Sequence, residues 1–266
     1  RGLRPIAEIQ YLDYLMFALQ TLSDDLATVS YRSVGKHLAP LIVRTRGHRL
    51  EGMWHAGSPM GMILNSLKGM LVLTPSNMVQ AAGMYNTLLS CSDPALIIEP
   101  LNAYRLKEKE PNNIGEFNVP LGHVEYISKG KDITVVSYGS TLKLVEKAIV
   151  ELLKHDIEIE LIDLQTLIPI DINVDIVKSL EKTNKLLIID EDFPGGASSH
   201  IMKVVLEDHD GFKYLDSKPV TLTAMEHRPP YGSDGDYFSK PSIDDIFESC
   251  YKIMHEYSPK KYPLKF

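Results

Sequence analysis

Residues 41–59 read LIVRTRGHRLEGMWHAGSP: a short apolar run, Leu41-Ile42-Val43, followed by a loop holding Arg44, Arg46, His48, Arg49, His55 and three glycines. The run is strand-like, and in an open α/β sheet ligands collect at the loop leaving a strand's carboxyl end. His55 lies between Trp54 and the turn Ala56-Gly57-Ser58-Pro59. Imidazole is the side chain best matched to acid/base work near neutral pH, which makes His55 the first catalytic candidate. Loop histidines are more often merely solvated, and this chain has nine.

Outward from that stretch, the pattern repeats as strand then helix. Residues 5–10 read as a short buried strand. Residues 11–31 read as one helix with Leu12, Leu15, Met16, Leu19, Leu22 and Leu26 on a core-facing stripe. Further strands are predicted at 70–73 and 96–100, with helices at 60–67 and from Pro75-Ser76 to about Ser90. A charged, breaker-rich segment follows, containing Lys107, Glu108, Lys109, Glu110, Pro111, Asn112, Asn113 and Gly115, and reads as a linker. The second half predicts an edge strand over 122–128, then strands at 133–137, 157–163, 185–190 and 220–225. Helices are predicted at 142–153, 174–182, 198–206 and 243–257. Alternation of this kind implies α/β architecture with two doubly wound sheet domains. The boundaries are 1–104, a linker over 105–121, and 122–266. Gly195-Gly196 ahead of a helix is a weak phosphate-cradle signal, since it lacks the GxGxxG and GxxxxGK[ST] spacings.

The chain has 266 residues, 44% hydrophobic and 24% charged, as in ordinary globular proteins. A net charge of -7 argues against a nucleic-acid surface. Cys91 and Cys250 are far apart and form no CxxC pair, so neither a disulfide framework nor a zinc site is expected, and no metal ligands are assigned. No apolar run approaches the ~20 residues that span a bilayer, and the expected location is cytoplasmic. The start at Arg1-Gly2-Leu3-Arg4-Pro5, without methionine, reads as a cut into a larger polypeptide.

Five segments occur in the order seen in one family: GLRPIAEIQYLDY, YRSVGK, the loop ending in WHAGSP, VLTPSN, and IDLQTLIPIDINVDIVKSLEKTNKLLIIDED with its following GG. Together they resemble the beta subunit, or fused beta region, of the thiamine-diphosphate-dependent component of 2-oxo acid dehydrogenases, in the transketolase superfamily. The resemblance implies a partial transketolase-like pyrimidine-binding domain followed by a transketolase C-terminal-type domain. It implies that His55 is the active-site histidine, assisting decarboxylation and acyl transfer to a lipoyl group. Tyr14 falls where the family sets an aromatic ring against the aminopyrimidine, with Gln10 beside it. Thiamine diphosphate is the implied cofactor, with Mg²⁺ held by the missing or alpha part, because the family's GDG…N motif does not occur in this sequence. The family's ylid-forming glutamate lies upstream of GLRP, so the chain alone is expected to be inactive.

Implied partners are an alpha subunit or region, a second copy of the chain, and a lipoyl acyltransferase core. Asp244, Asp245, Glu248 and Phe266 are candidates for docking that core, although an acidic helix face is as often simply solvated. The pair Asp13-Tyr14 is more like the branched-chain branch than the pyruvate one. Two alternatives stand beside this reading. One is a transketolase or 1-deoxyxylulose-5-phosphate synthase-like transferase, with Arg44, Arg46, His48 and Arg49 on a sugar phosphate. The other is a non-catalytic assembly domain, which would have His55 and Tyr14 facing different cavities.

Overall fold

The computed structural model describes residues 2–47, 55, 57–232 and 235–264. In the first of two five-stranded sheets, β1 (Ile6–Ile9), β2 (Ile42–Gly47), β3 (Leu71–Leu73) and β4 (Ala95–Pro100) run parallel in the order β1-β2-β4-β3. Between them lie α1 (Val29–Arg32), α2 (Met60–Ser66) and α3 (Met78–Ser90). The second half contributes β5 (Glu125–Ser128), β6 (Ile133–Ser137) and β7 (Ile159–Asp163). Next comes β8 (Thr166–Ile168), then β9 (Leu186–Ile189) and β10 (Val220–Leu222). Its sheet has the order β10-β9-β6-β7-β5, parallel except for the antiparallel edge strand β5. Strand β8 leaves that sheet and pairs antiparallel with β3, so the first sheet takes its fifth strand from the second half of the chain. The helices α4 (Leu142–Leu153), α5 (Asp175–Thr183), α6 (Ala197–Lys203), α7 (Gly235–Ser239) and α8 (Ile243–Tyr257) complete the fold.

Both sheets are covered on both faces, which is why their central strands are apolar runs rather than alternating ones. Val136, Ile162 and Ile188 face one core, whereas their neighbours Val135, Leu161 and Leu187 face another. The first of these cores also holds Val43, Val72, Leu96 and Ile98 of the first sheet, so the two sheets share a continuous apolar interior. The second packs beneath α4 and α8, through Leu142, Val145, Leu152, Ile246 and Met254. Helix α8 begins where Ser242 and Asp245 form a reciprocal capping box. The Asp171 carboxylate accepts the Asp175 and Ile176 amides at 2.8 and 2.9 Å, satisfying two free donors at the start of α5. Among the described residues no helix is long and apolar enough to cross a membrane.

Three local expectations are corrected. Strand β1 is a mostly exposed edge rather than a buried strand, with Ile6 50% exposed. Residues 11–31 do not form one helix. A 3-10 segment (Leu12–Phe17), a π segment (Thr21–Leu26) and α1 replace it. Ser23 and Thr28 turn their hydroxyls back on the carbonyls of Gln20 and Asp24, the local competition that bends helices. Leu12, Leu15 and Leu22 are buried as the stripe predicts, but Met16 is exposed. Finally, β2 runs on to Gly47, so Arg44 and Arg46 belong to the strand and not to the loop after it.

Candidate active site

The site begins with the 3-10 segment. In a 3-10 turn, residues three apart stack on one side. Leu12 and Leu15 accordingly point into the core, while Tyr11 and Tyr14 stand together on the other side with ring centroids 5.8 Å apart, edge to face. His55 reaches this pair. Its ring stacks on Tyr11 at 3.9 Å with an interplanar angle of 22°, and its Nε2 lies 3.2 Å from the Tyr14 hydroxyl. If the phenol donates, the imidazole carries its proton on Nδ1 and keeps Nε2 as the acceptor. The flanking aromatic foreseen for His55 was Trp54, which lies outside the described residues. The flank that the structure supplies is Tyr11, which sequence reasoning missed although its three-residue spacing from Tyr14 was there to read.

The strand ends build the rest. Successive side chains on a strand alternate faces, so Arg44 and Arg46 share one. Arg46 Nε donates to the Gln10 carbonyl at 2.9 Å, and its guanidinium lies 4.5 Å from the Tyr11 ring centroid. Arg46, His55, Tyr11, Leu101, Asn102, Tyr104 and Arg105 line a cleft of about 520 Å³ at the carboxyl edge of the first sheet. The cleft has two guanidinium groups and an imidazole on its walls, which suits an anionic ligand. Tyr14 stands beside it, 41% exposed. Gln10 is exposed where β1 ends, and its main-chain carbonyl is the atom engaged.

Arg44 does not belong to the cleft's free charge. It pairs with Glu99 at 2.6 Å and Glu8 at 3.0 Å and donates to the Tyr104 hydroxyl at 3.0 Å. Tyr85 and Tyr104 also donate to Glu99. Burial pushes the Glu99 carboxyl up, but the guanidinium and the two phenols outweigh it and hold Glu99 below the ordinary carboxylate range. His48 and Arg49, offered with Arg44 and Arg46 as phosphate contacts, lie outside the described residues.

The chain just after His55 is tied to both halves. The Gly57 amide donates to Asp13 Oδ2 at 3.1 Å, and Asp13 Oδ1 accepts Arg228 Nη1 at 2.8 Å. The Gly61 amide donates to Asp192 Oδ2 at 2.8 Å. A side chain at Gly61 would come within 2.9 Å of the Gly196 Cα, so the Gly195-Gly196 pair serves a close backbone crossing. The Ser198 amide beyond it is taken by Asp190 Oδ2 at 2.7 Å, and that carboxylate fills the place a phosphate would need. Asp192 lies in the family-like segment ending IDED, but neither its role nor that of Arg228 was legible in the sequence, since each meets the site only through the contact between halves.

Among the described residues, no group of three or more His, Cys, Asp or Glu is arranged to hold a metal ion. Of the acidic docking candidates, Asp245 is used in the α8 cap, Asp244 accepts the Tyr237 hydroxyl and Glu248 pairs with Lys252 at 2.9 Å. These are local roles that favour the solvated-face reading. Phe266 lies outside the described residues.

Comparison with known proteins follows the same line. Residues 122–240 match the family described as transketolase, C-terminal domain. The chain is 31% identical over 228 residues to the pyruvate dehydrogenase E1 component subunit beta of Mycoplasma genitalium, covering 85% of this chain and 68% of that one. It is 29% identical over 263 residues to the mitochondrial 2-oxoisovalerate dehydrogenase subunit beta of Chaetomium thermophilum, covering 95% of this chain but 54% of that protein. A split-gene transketolase, solved as an inactive beta4 tetramer, shares the fold with a TM-score of 0.72 at 16% identity, over 94% of this chain and 75% of that one. With its histidine and tyrosines gathered at the sheet edge and these relatives along nearly its whole length, the chain belongs to the family of E1 beta subunits of the 2-oxo acid dehydrogenases.

Proposed function

We propose that this chain is the beta part of a decarboxylating 2-oxo acid dehydrogenase component that passes an acyl group to a lipoyl domain, with His55 as its acid/base residue. The observation that carries this reading is the meeting of His55 with Tyr14, 3.2 Å apart beside one cleft although 41 residues separate them in the chain. Thiamine diphosphate, when bound, supplies the carbon nucleophile that attacks the oxo group. The residues present fit such a group. The half-open Tyr14 ring offers a flat face for an aminopyrimidine, and the neighbouring cleft has room and cationic walls. Ligands for Mg²⁺ and the diphosphate are assigned to the alpha partner.

In this reading Tyr11 and Tyr14 hold the His55 ring from two sides, and the imidazole gives and takes a proton at the reacting oxygen. Arg46, fixed by the Gln10 carbonyl and the Tyr11 ring, faces the carboxylate of the incoming 2-oxo acid. Working partners are the alpha chain, a second copy of this chain and a lipoyl acyltransferase core. The engagement of Arg44 by Glu99 weakens the sugar-phosphate alternative, because it removes one of the cations that reading needed.

The test is an assay of the protein assembled with its alpha part, thiamine diphosphate and Mg²⁺, on branched-chain 2-oxo acids first and pyruvate second. His55→Ala is expected to cut lipoamide acylation by about 10²–10⁴-fold. Undiminished acylation removes His55 from the mechanism, and activity on sugar phosphates alone returns the transferase reading.

A further inference from the structure

One carboxylate touches both sides of the His55 cage. Asp13 sits on the same 3-10 turn as Tyr11 and Tyr14, which flank the imidazole, and it also accepts the amide of Gly57, two residues beyond His55. Its second oxygen is held by Arg228, 215 residues away in the segment after β10. The Asp13 side chain is 12% exposed, whereas Arg228 is 50% exposed. The acid is therefore largely withdrawn from water, and the arginine reaches it from the surface. A side chain at Gly57 would strike the Asp13 carboxylate, so the close approach depends on glycine there. Four residues on, the Gly61 amide is pinned separately to Asp192.

We infer that Asp13 and Arg228 are positioning residues: Arg228 fixes the Asp13 carboxylate, and Asp13 fixes the spacing between the tyrosine turn and the segment that carries His55. The physical reason is desolvation. Without a counter-ion, a carboxylate this withdrawn turns toward water, and in doing so it releases Gly57. The Asp192 pin keeps Gly61 in place, so the loosening at Gly57 is not passed on into α2. The consequence for catalysis rests on the acid/base reading of His55; the clamp itself does not.

The test uses the assembled enzyme with Arg228→Met, Arg228→Lys and Asp13→Asn. Each variant is read by kcat and KM on the 2-oxo acid, and by amide hydrogen exchange in the peptide spanning 55–61. Arg228→Met is expected to lower kcat by about tenfold to a hundredfold, the scale of a misplaced catalytic group, with KM held within about twofold. Exchange at Gly57 is expected to speed up while Gly61 stays protected. Arg228→Lys should restore most of both readouts, because it returns the charge. Asp13→Asn, which keeps the acceptor oxygen and the shape, covers the case in which Arg228→Met does not fold. Unchanged Gly57 exchange in a folded Arg228→Met protein overturns the clamp. Faster exchange with unchanged kcat keeps the clamp and overturns the catalytic reading of His55 instead.

Discussion

The carboxyl ends of the two sheets each bury an acid, and they treat it in opposite ways. At the end of β4, Glu99 meets a guanidinium and two phenols, and its carboxyl is held below the ordinary range. At the end of β7, Asp163 meets only neutral donors among the described residues. The Gln80 amide lies 3.0 Å away and the Gln165 main-chain amide 3.0 Å away, and burial pushes the carboxyl up to about 6. The neighbouring Glu125, which shares Gln80 at 2.5 Å, pushes in the same direction. Dipoles satisfy a buried carboxylate's geometry, but a full counter-charge is what offsets its desolvation. The end that carries the counter-charge is also the end whose Tyr104 lines the His55 cleft.

The difference has a sign that can be measured. Asp163 has a raised folded pKa, so the folded state binds its proton more tightly than the unfolded chain. Its contribution favours folding at low pH and is lost as pH rises from about 4 to about 6. Across that window the loss amounts to roughly 3 kcal/mol. Denaturant titrations at several pH values should show Asp163→Asn gaining stability relative to the parent across the same range, and a constant difference would break the contrast. Glu99 runs the other way, its contribution being present above about 4.5 and lost as pH falls further.

Arg44→Met sharpens the same contrast, since it leaves Glu99 with the two phenols but no guanidinium. We expect a loss of about 1.5–3 kcal/mol at neutral pH, the range for a hydrogen bond to a charged group. The acid limb that Glu99 supplies should flatten with it. Equal acid limbs in parent and variant would show that the phenols alone hold Glu99 down. The smallest effect belongs to the edge. Ile6→Ala, on a half-exposed strand, should change the unfolding free energy by no more than about 0.5 kcal/mol. A larger loss in the assembled enzyme than in the isolated chain would mark β1 as a covered surface.

The regular elements are legible because their signals are local. Strands β6, β7 and β9 are apolar runs of the right length, and α8 spans the 243–257 expected of it. The segment over 11–31 misleads for the same reason. Its leucine spacing describes a helix, but it does not record that hydroxyls at Ser23 and Thr28 compete for the backbone. His55 follows as a candidate from residue chemistry, and Tyr14 and Gln10 follow as candidates from the family resemblance. The roles of Tyr11, Asp13, Arg228 and Asp192 follow from neither, because each depends on a partner far away in the chain.

By itself the sequence determined the α/β alternation, the two mostly parallel sheets and the histidine to watch, because apolar period, turn residues and short motifs act over a few neighbours. Only the tertiary structure decided that β8 crosses to the first sheet, that Arg44 is spent on Glu99, and that Arg228 reaches Asp13 behind the His55 segment. Such contacts depend on which surfaces the shared core brings together, and a pairing across 215 residues leaves no trace in the local pattern of either end.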